Sequence, residues 1–218
     1  MLHDLRPVNN FIRFLKMCHP RVRNVLDHGG NVATKFDLRA AFRHVAVAER
    51  DRPYIAFSIN GYCLRWTCLP FGLSASPALF GRALQPALDE ARHAGIAFEA
   101  YVDDFIVVAE DARTLDVQVR KLIRILTDRG WNIACDKSYP FAHDRIIFLG
   151  LLVDLRERAL HVPLSKATKL RDLCAEALAS RRIRVSLLQK ITGLLSFFLE
   201  AVPIIGAAWT RRTVGCLE

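Results

Sequence analysis

The sequence predicts an α+β protein whose C-terminal part is purely helical. Up to about residue 160, short apolar runs and two turn-marked hairpins alternate with helical patterns, whereas only helical periodicity follows His161. Hydrophobic residues make up 52% of the 218 positions, which is enough to bury a core. This content excludes a disordered protein.

The predicted strands begin with residues 32–37, a short buried run that ends in Asp37. Asn60-Gly61 marks a hairpin, because this dipeptide suits the positive φ angles of a two-residue turn. Asp103-Asp104 forms the predicted tip of a second hairpin. The remaining strand predictions are the hairpin arms and two later runs, at residues 54–59, 62–68, 98–102, 105–109, 131–134 and 146–153.

The predicted helices begin at capping residues and end near glycine or proline. They are Ser76 to about His93 with a kink at Pro86, Thr114 to about Gly130, Ser165 to about Ala179, and Val185 or Ser186 to Ala201. The second helix carries an apolar stripe at helical spacing, formed by Leu115, Val119, Leu122, Ile123 and Leu126.

The net charge of +9 is distributed unevenly along the chain. Residues 1–60 contribute +5, residues 61–160 contribute −1, and residues 161–218 contribute +5. Basic ends around a near-neutral centre suit a protein that holds a polyanion with its outer parts, and nucleic acid is one such partner. The same distribution is also typical of a solvated basic surface.

The sequence indicates an intracellular protein, cytoplasmic or nuclear, with no membrane partner. No secretory signal opens the chain, and the apolar stretch at 191–209 contains Glu200 and Pro203, so we expect a buried or amphipathic helix there. The six cysteines show no CxxC spacing, and we expect reduced, mostly buried thiols.

Three carboxylates stand where a core edge is predicted. Asp37 ends an apolar strand, and Asp103-Asp104 lies between two apolar arms. Like charges held together are destabilising unless cations neutralise them, and ligands that are all oxygen favour Mg²⁺, with Mn²⁺ as a substitute. Taken alone, Asp103-Asp104 is equally typical of a plain turn.

Several motifs in a fixed order resemble a reverse transcriptase. The catalytic-type motifs are KFDLRAAF at 35–42, LPFGLSASP at 69–77, YVDD at 101–104, CDKS at 135–138 and FLG at 148–150, preceded by DLRPVN at 4–9. YVDD alone is a weak signal, whereas five ordered motifs are a strong one. The LPFGLS form and the run at 187–203 are most similar to retrotransposon enzymes of the gypsy and DIRS-like groups.

This resemblance implies a polymerase palm, an antiparallel sheet packed on helices, with partial fingers and a C-terminal helical thumb. The implied boundaries are 1–31 for a remnant of the fingers, 32–160 for a palm with an embedded fingers hairpin at about 50–70, and 161–218 for a thumb-like region. Family members carry more of the fingers before Arg6. We therefore expect an N-terminally truncated part of a retroelement polyprotein, whose missing segments include fingers and RNase H.

The resemblance also implies a catalytic centre. Asp37 and Asp103 would ligate two Mg²⁺ ions about 3.5 to 4 Å apart, and Asp104 would complete the cluster in a weaker role. The backbone carbonyl of Leu38 would add a ligand. Lys137 would protonate the leaving pyrophosphate, although an exposed lysine after a strand is ordinarily plain surface.

The resemblance further implies a nucleotide site. Phe42 would pack beneath the incoming sugar and leave no room for a 2′-hydroxyl, so deoxynucleotides would be the substrates; otherwise Phe42 is simply core. Phe71 occupies a position near the nucleotide where many retroviral enzymes have Gln. Gly72 would allow close approach of the backbone to the substrate.

Primer and template contacts are implied at both ends of the palm. Tyr101 would face the primer end or the template base pair. Alternatively, as a strand residue, it is simply a core aromatic. Phe148, Leu149 and Gly150 would form the turn that holds the primer backbone, and Arg6 would touch template phosphates. Basic residues on the last helices would grip the duplex or form a solvated face: Lys166, Lys169, Arg171, Arg181, Arg182, Arg184 and Lys190.

The function implied is RNA-directed DNA polymerisation, in which dNTPs are added to a primer 3′-hydroxyl on an RNA or DNA template. A catalytically weak or inactive nucleic-acid-binding relic is the alternative. A nuclease or another two-metal phosphotransferase is a third hypothesis, but it leaves LPFGLSASP and FLG unexplained.

Overall fold

A computed structural model describes residues 4–13, 15, 20–134, 141–180 and 182–201. The strands are β1 (Val32–Leu38), β2 (Ala56–Ile59), β3 (Tyr62–Arg65), β4 (Phe98–Tyr101), β5 (Asp104–Ala109), β6 (Ile133–Ala134), β7 (Arg145–Phe148), β8 (Leu151–Asp154) and β9 (Ala159–His161). The helices are α1 (Arg6–Asn9), α2 (Asn24–Asp27), α3 (Ser76–His93), α4 (Ala112–Asp128), α5 (Leu164–Ala179) and α6 (Val185–Phe198). This mixture of helices and antiparallel strands confirms the predicted α+β class.

The central sheet has four antiparallel strands in the order β4-β5-β1-β6. Its two inner strands, β1 and β5, pair from Val32 opposite Ala109 to Asp37 opposite Asp104. Successive side chains of a strand point to opposite faces. Because both faces of this sheet are covered, the two inner strands are largely apolar.

One face of the central sheet packs against α3 and α4. Phe36 and Phe105 are cross-strand partners whose rings stack with their centroids 4.9 Å apart. Leu84, Leu122 and Leu126 of the two helices are buried in the same cluster. Burying a side chain of this size contributes roughly 1.5 to 3 kcal/mol, so this layer is a major part of the core. The predicted apolar stripe of α4 does face the core.

The opposite face packs against a three-stranded sheet in the order β7-β8-β9. Ala33 and Ile106 of the central sheet share a buried cluster with Phe148 and Leu151. Asp37 follows Ala33 by four positions along β1, so it lies on this same face. The carboxylate end of the sheet therefore adjoins the small sheet.

The predicted Asn60-Gly61 hairpin is present as β2 and β3, which form a separate two-stranded sheet. Asn60 and Gly61 have φ angles of 50° and 79°, as a tight turn of this kind requires. The first arm is shorter than predicted because Glu49–Ile55, which includes Pro53, forms a 3-10 segment.

Other strand predictions needed correction. The predicted strand at 146–153 is two strands, because Leu149 and Gly150 both have positive φ angles, 46° and 82°, and turn the chain back. In the carboxylate hairpin the turn is Val102-Asp103, with φ of 56° at Val102. Asp104 is therefore the first residue of β5 and not part of the tip. The run at 131–134 is strand at its last two residues alone, and β9 was not predicted.

The predicted helix caps were wrong in three cases. Asp111 caps α4 in place of Thr114, because its carboxylate accepts two backbone N–H groups of the first turn. Ser76 and Ser165 cap nothing with their side chains and lie inside the first turns of α3 and α5. The Ser76 hydroxyl instead donates to the Pro70 carbonyl at 2.8 Å, inside the core.

Helices α5 and α6 pack on each other through Ala177, Leu187 and Ile191. Helix α6 ends at Phe198, three residues before the predicted end, and Pro203 lies outside the described residues. Within the described part of the chain, every helix is too short or too polar to span a bilayer.

The cysteine prediction was partly wrong. Of the six cysteines, Cys63, Cys68 and Cys174 lie in the described residues, and their thiols are free. Cys63 is exposed and the other two are half-buried, so these three are not the buried thiols we expected. Short hydrophobic strands and helices supply the core here without them.

Substituting Gly30 with Ala should destabilise the fold. Gly30 precedes β1, and a Cβ atom there would meet the Ala109 carbonyl oxygen and the Val108 Cγ1 atom at 2.5 Å. The backbone of β5 cannot easily move away, so we expect a loss of about 1 to 3 kcal/mol in the free energy of unfolding, measured by urea denaturation. Gly81→Ala in α3 is the control. Its Cβ meets no atom within 4 Å, and it should raise stability by about 0.5 to 1 kcal/mol.

Candidate active site

Strand pairing brings the three predicted aspartates to one end of the central sheet. Asp37 and Asp104 are direct partners across β1 and β5, which places their Cβ atoms about 4.5 to 5.5 Å apart. Asp103 belongs to the adjoining turn, and its carbonyl accepts the Leu38 N–H at 2.9 Å. All three aspartates are half-buried. The Leu38 side chain points into the core, so its backbone alone is available at this edge.

The electrostatics of this cluster are unfavourable. Burial raises the pKa of Asp104 to about 6, with further contributions from a hydrogen bond to Asp37 and from the charges of Asp37 and Asp103. Lys35 opposes the rise, and its ammonium also donates to the Ile147 carbonyl at 3.1 Å. One nearby lysine thus offsets the repulsion incompletely.

The donor chemistry of the three aspartates fits a hard divalent cation. They supply oxygen ligands, with no His or Cys among them, which are the ligands that such a cation prefers. The ligand oxygens of the three aspartates do not all come within 4.8 Å of one another. Among the described residues, the group that meets this separation is Asp154, Glu157 and His161.

The second acidic group is explained by the turn between β8 and β9. One oxygen of Asp154 accepts the backbone N–H groups of Arg156 and Glu157, and the other accepts Arg145 Nε at 2.6 Å. The Glu157 N–H and the Arg145 pair hold the pKa of Asp154 below its usual range. His161 pairs with Glu157 at 3.3 Å. Since both Asp154 oxygens are already bonded, this group stabilises the turn.

The two predicted nucleotide-site phenylalanines are in contact. Phe42 lies in a 3-10 turn just after β1, and its ring meets that of Phe71 edge-on, with the centroids 4.9 Å apart. Phe80 of α3 packs against the other side of Phe42. Phe42 is therefore 9% exposed, whereas Phe71 is 59% exposed. Phe42 is thus a core residue, and its packing beneath an incoming sugar stays a prediction.

Gly72 has a φ angle of 90°, a conformation that side chains rarely adopt, which explains a glycine at this position. The loop around it is fixed by Asn9 of α1. The Asn9 amide donates to the Gly72 carbonyl at 2.9 Å, and its oxygen accepts the Ser74 N–H at 2.8 Å. Leu5 and Leu73 are buried together beside this contact.

The predicted primer-side residues lie on the other flank of the carboxylates. Tyr101 is half-buried and pairs with Asp104 in the sheet. With Leu149 and Phe197 it lines a cavity of about 400 Å³. Phe148 is buried, so the turn presents Leu149 and Gly150.

Lys166 of α5 links this turn to α6. Its ammonium lies 3.6 Å from the centroid of the Phe197 ring, and a Cβ atom on Gly150 would collide with it. Burial, followed by repulsion from Lys169, lowers the pKa of Lys166. Lys166 is thus partly withdrawn from solvent and is not simply part of a solvated basic face.

Arg6 is exposed and forms a two-pronged ion pair with Asp4, at 2.7 and 2.9 Å. Lys137 lies outside the described residues, as does the whole motif at 135–138.

Sequence reasoning missed Asn9, Lys35 and Lys166 as parts of the site. Lys35 could have been found, because it precedes Asp37 by two positions and so shares its strand face. Asn9 stands in the DLRPVN segment, but its partners are more than 60 positions away. Lys166 was predicted as a duplex contact, and its packing on Phe197 could not be anticipated.

Comparison with known proteins identifies the motifs. Residues 1–153 match the family model described as reverse transcriptase (RNA-dependent DNA polymerase). The chain is 32% identical over 136 residues to the retrovirus-related Pol polyprotein from transposon opus of Drosophila melanogaster, which covers 62% of this chain and 13% of that protein. To the corresponding polyprotein from transposon gypsy of the same organism it is 30% identical over 120 residues, covering 55% and 11%. The chain thus spans little more than a tenth of the length of these relatives.

Solved structures show the same fold. The foamy viral protease-reverse transcriptase in complex with double-stranded DNA aligns with a TM-score of 0.72 at 22% identity, covering 89% of this chain and 32% of that one. The same viral protein in complex with an RNA/DNA hybrid gives 0.70 at 23% identity, covering 89% and 25%. These likenesses confirm the predicted palm-like α+β fold.

Neutralising Asp104 should stabilise the metal-free fold in a pH-dependent way. The folded-state pKa of about 6 lies above the ordinary value of 3.8, so protonated Asp104 stabilises the fold at low pH, and this contribution is lost as the pH rises through about 6. Asp104→Asn should therefore raise the free energy of unfolding at pH 7.5 by about 1 kcal/mol, a figure reduced from the full shift because solvent screens this half-buried group.

At pH 4 the gain from Asp104→Asn should vanish, since the wild-type carboxyl is then protonated. Urea denaturation in EDTA at the two pH values measures both quantities. Asp27→Asn, an exposed position of α2, is the control. An equal gain at pH 4 and 7.5 would contradict the assignment of the effect to the ionisation of a half-buried Asp104.

Proposed function

Because the chain belongs to the reverse transcriptase (RNA-dependent DNA polymerase) family, we propose that it is the core of an RNA-directed DNA polymerase from a retroelement polyprotein. It adds deoxynucleotides to a primer 3′-hydroxyl. The observation that carries this proposal is the direct pairing of Asp37 with Asp104, beside Asp103, at the exposed end of the sheet.

Asp37 and Asp103 are the proposed ligands of two divalent cations. Asp104 adds a third negative charge beside them, in a weaker role. We propose Mg²⁺, with Mn²⁺ able to replace it, because carboxylate oxygens suit hard cations. When bound, the ions lower the pKa of the primer hydroxyl and neutralise charge on the triphosphate. Asp37 and Asp104 lie on two paired strands, and Asp103 lies in the adjoining turn, so the sheet fixes the positions of all three carboxylates. Lys137 remains the proposed proton donor to pyrophosphate.

The nucleotide would lie against the aromatic pair and the Gly72 loop. Phe42 and Phe71 place apolar ring surface close to the carboxylate end of β1, where a sugar 2′-hydroxyl would find no hydrogen-bond partner. We therefore propose deoxynucleotides as substrates. The backbone of Leu38 and the loop at Gly72 complete this side of the site.

A primer–template duplex is the proposed partner. The two foamy viral complexes contain double-stranded DNA and an RNA/DNA hybrid, which supports nucleic acid as the ligand here. Tyr101 and the turn at 148–150 adjoin the carboxylates on the proposed primer side. We assign 1–31 to the end of the fingers, 32–160 to the palm and 161–218 to a thumb-like region whose basic helices contact phosphates without reading sequence.

Removing the Asp103 carboxylate should abolish nucleotide incorporation. Asp103→Asn keeps the size of the side chain but removes a metal ligand, so primer extension on poly(rA)/oligo(dT) with Mg²⁺ should fall on the order of a hundredfold or more. Asp27→Asn, a change at an exposed position of α2 outside the proposed site, should leave incorporation unchanged.

Equal nucleotide incorporation by wild type and Asp103→Asn would contradict the assignment of Asp103 as a catalytic metal ligand. Salt-sensitive duplex binding without incorporation by the wild type would favour the non-catalytic relic instead. Circular dichroism of each variant establishes that both are folded.

Salt should weaken duplex binding, and Lys169 should contribute to this salt dependence. Lys169 of α5 is exposed and forms no ion pair with another described residue, so Lys169→Gln should reduce the slope of log affinity against log salt by about 1. Arg120 of α4 pairs with Asp116 at 2.8 Å, on a helix that covers the opposite face of the sheet. Arg120→Gln should leave the slope unchanged, and equal effects of the two changes in a fluorescence-anisotropy titration would contradict a duplex surface on α5.

A further inference from the structure

The loop that joins β3 to α3 carries an exposed aromatic ring, that of Phe71. Phe71 precedes Gly72, which has a φ angle of 90°, and glycine has more backbone conformations open to it than any other residue type. The half of the loop before Phe71 is fixed from inside, because the buried Ser76 hydroxyl donates to the Pro70 carbonyl. The half after Phe71 needs a separate constraint.

Asn9 supplies that constraint from a distant part of the chain. Its amide group makes two hydrogen bonds in opposite senses, donating to the Gly72 carbonyl at 2.9 Å and accepting the Ser74 N–H at 2.8 Å. A side-chain amide can do both at once, whereas an ionised carboxylate accepts hydrogen bonds and donates none. Leu5 packs on Leu73 between these bonds, which keeps α1 against the loop.

The ring that Asn9 positions is the one that a ligand can reach. Phe42 is 9% exposed because Phe71 and Phe80 cover it, whereas Phe71 is 59% exposed. The edge-on contact of Phe71 with Phe42 makes the two rings one surface. Any displacement of Phe71 would change what a sugar beside Phe42 encounters.

We propose that Asn9 is a positioning residue for sugar selection. By holding the Gly72 loop, it keeps Phe71 over Phe42, and the pair of rings, not Phe42 alone, excludes the 2′-hydroxyl of a ribonucleotide. This inference rests on the proposed polymerase function. Its distinctive consequence is that a residue in α1, outside the proposed nucleotide site, sets the preference for deoxyribose.

The test measures nucleotide binding without chemistry. Dissociation constants for dUTP and UTP, which differ in the 2′-hydroxyl alone, are determined with the full chain on a poly(rA) template and a dideoxy-terminated oligo(dT) primer. Wild type should bind dUTP more tightly than UTP. Asn9→Ala removes both hydrogen bonds, and it should lower the UTP/dUTP ratio of dissociation constants by about fivefold or more, chiefly by improving UTP binding.

Two further variants separate positioning from general damage. Asn10→Ala changes the adjacent, exposed asparagine, whose side chain bonds to no described residue, and should leave the ratio unchanged. Asn9→Asp keeps the acceptor for the Ser74 N–H but loses the donor to the Gly72 carbonyl. It should therefore give a ratio between those of wild type and Asn9→Ala. If Asn9→Ala does not fold, the ratio of Asn9→Asp tests the proposal.

An unchanged ratio in a folded Asn9 variant overturns the proposal, as does an equal fall in Asn10→Ala or a wild type that binds the two nucleotides alike. A wild type that discriminates between the nucleotides but extends no primer contradicts the polymerase function and leaves the role of Asn9 standing. Extension by wild type with no effect of Asn9 contradicts the positioning role alone.

Discussion

The pairing of Asp37 with Asp104 across two buried strands is the constraint on which the rest of this structure depends. Two carboxylates are held opposite each other at the end of the sheet, and burial, followed by the hydrogen bond to Asp37 and the charges of Asp37 and Asp103, raises the pKa of Asp104. The register is held by the adjacent pair, in which Phe36 stacks on Phe105. A shift of one residue in the register of β5 would turn the Asp104 side chain toward the face that α3 and α4 cover. The same strand register therefore determines both the packing of the core and the position of the carboxylates.

The two faces of the sheet pack against different parts of the protein. Helices α3 and α4 bury one face in the largest cluster of the protein. The other face carries Asp37 and adjoins the small sheet, whose turn at Gly150 contacts Lys166 of α5. On the opposite side of the carboxylates, Asn9 fixes the loop of Phe71. Segments distant in the chain therefore meet around one end of β1, as a site that must hold a duplex and a nucleotide together would require.

Local patterns explain which predictions from the sequence succeeded. Asn60-Gly61, the apolar runs around Asp37 and the stripe of α4 depend on neighbouring residues, and each was predicted correctly in kind. The errors arose where several residues could serve the same role. Asp111 competes with Thr114 for one cap. The apolar pattern at 146–153 predicted a single strand, whereas the turn at 148–150 that the resemblance implied divides it into two. Propensity ranks such candidates, but packing selects among them.

The sequence by itself determined the fold class, the family and the three aspartates, because periodicity and motif order are written in contiguous residues. Only the tertiary structure decided that Asp104 sits in the strand opposite Asp37, that Phe71 contacts Phe42, that Asn9 bonds to the Gly72 loop, and that Lys166 packs on Phe197. These contacts join residues tens of positions apart. Their energy depends on distance and orientation in the folded chain, and neither quantity is encoded in the order of neighbouring residues.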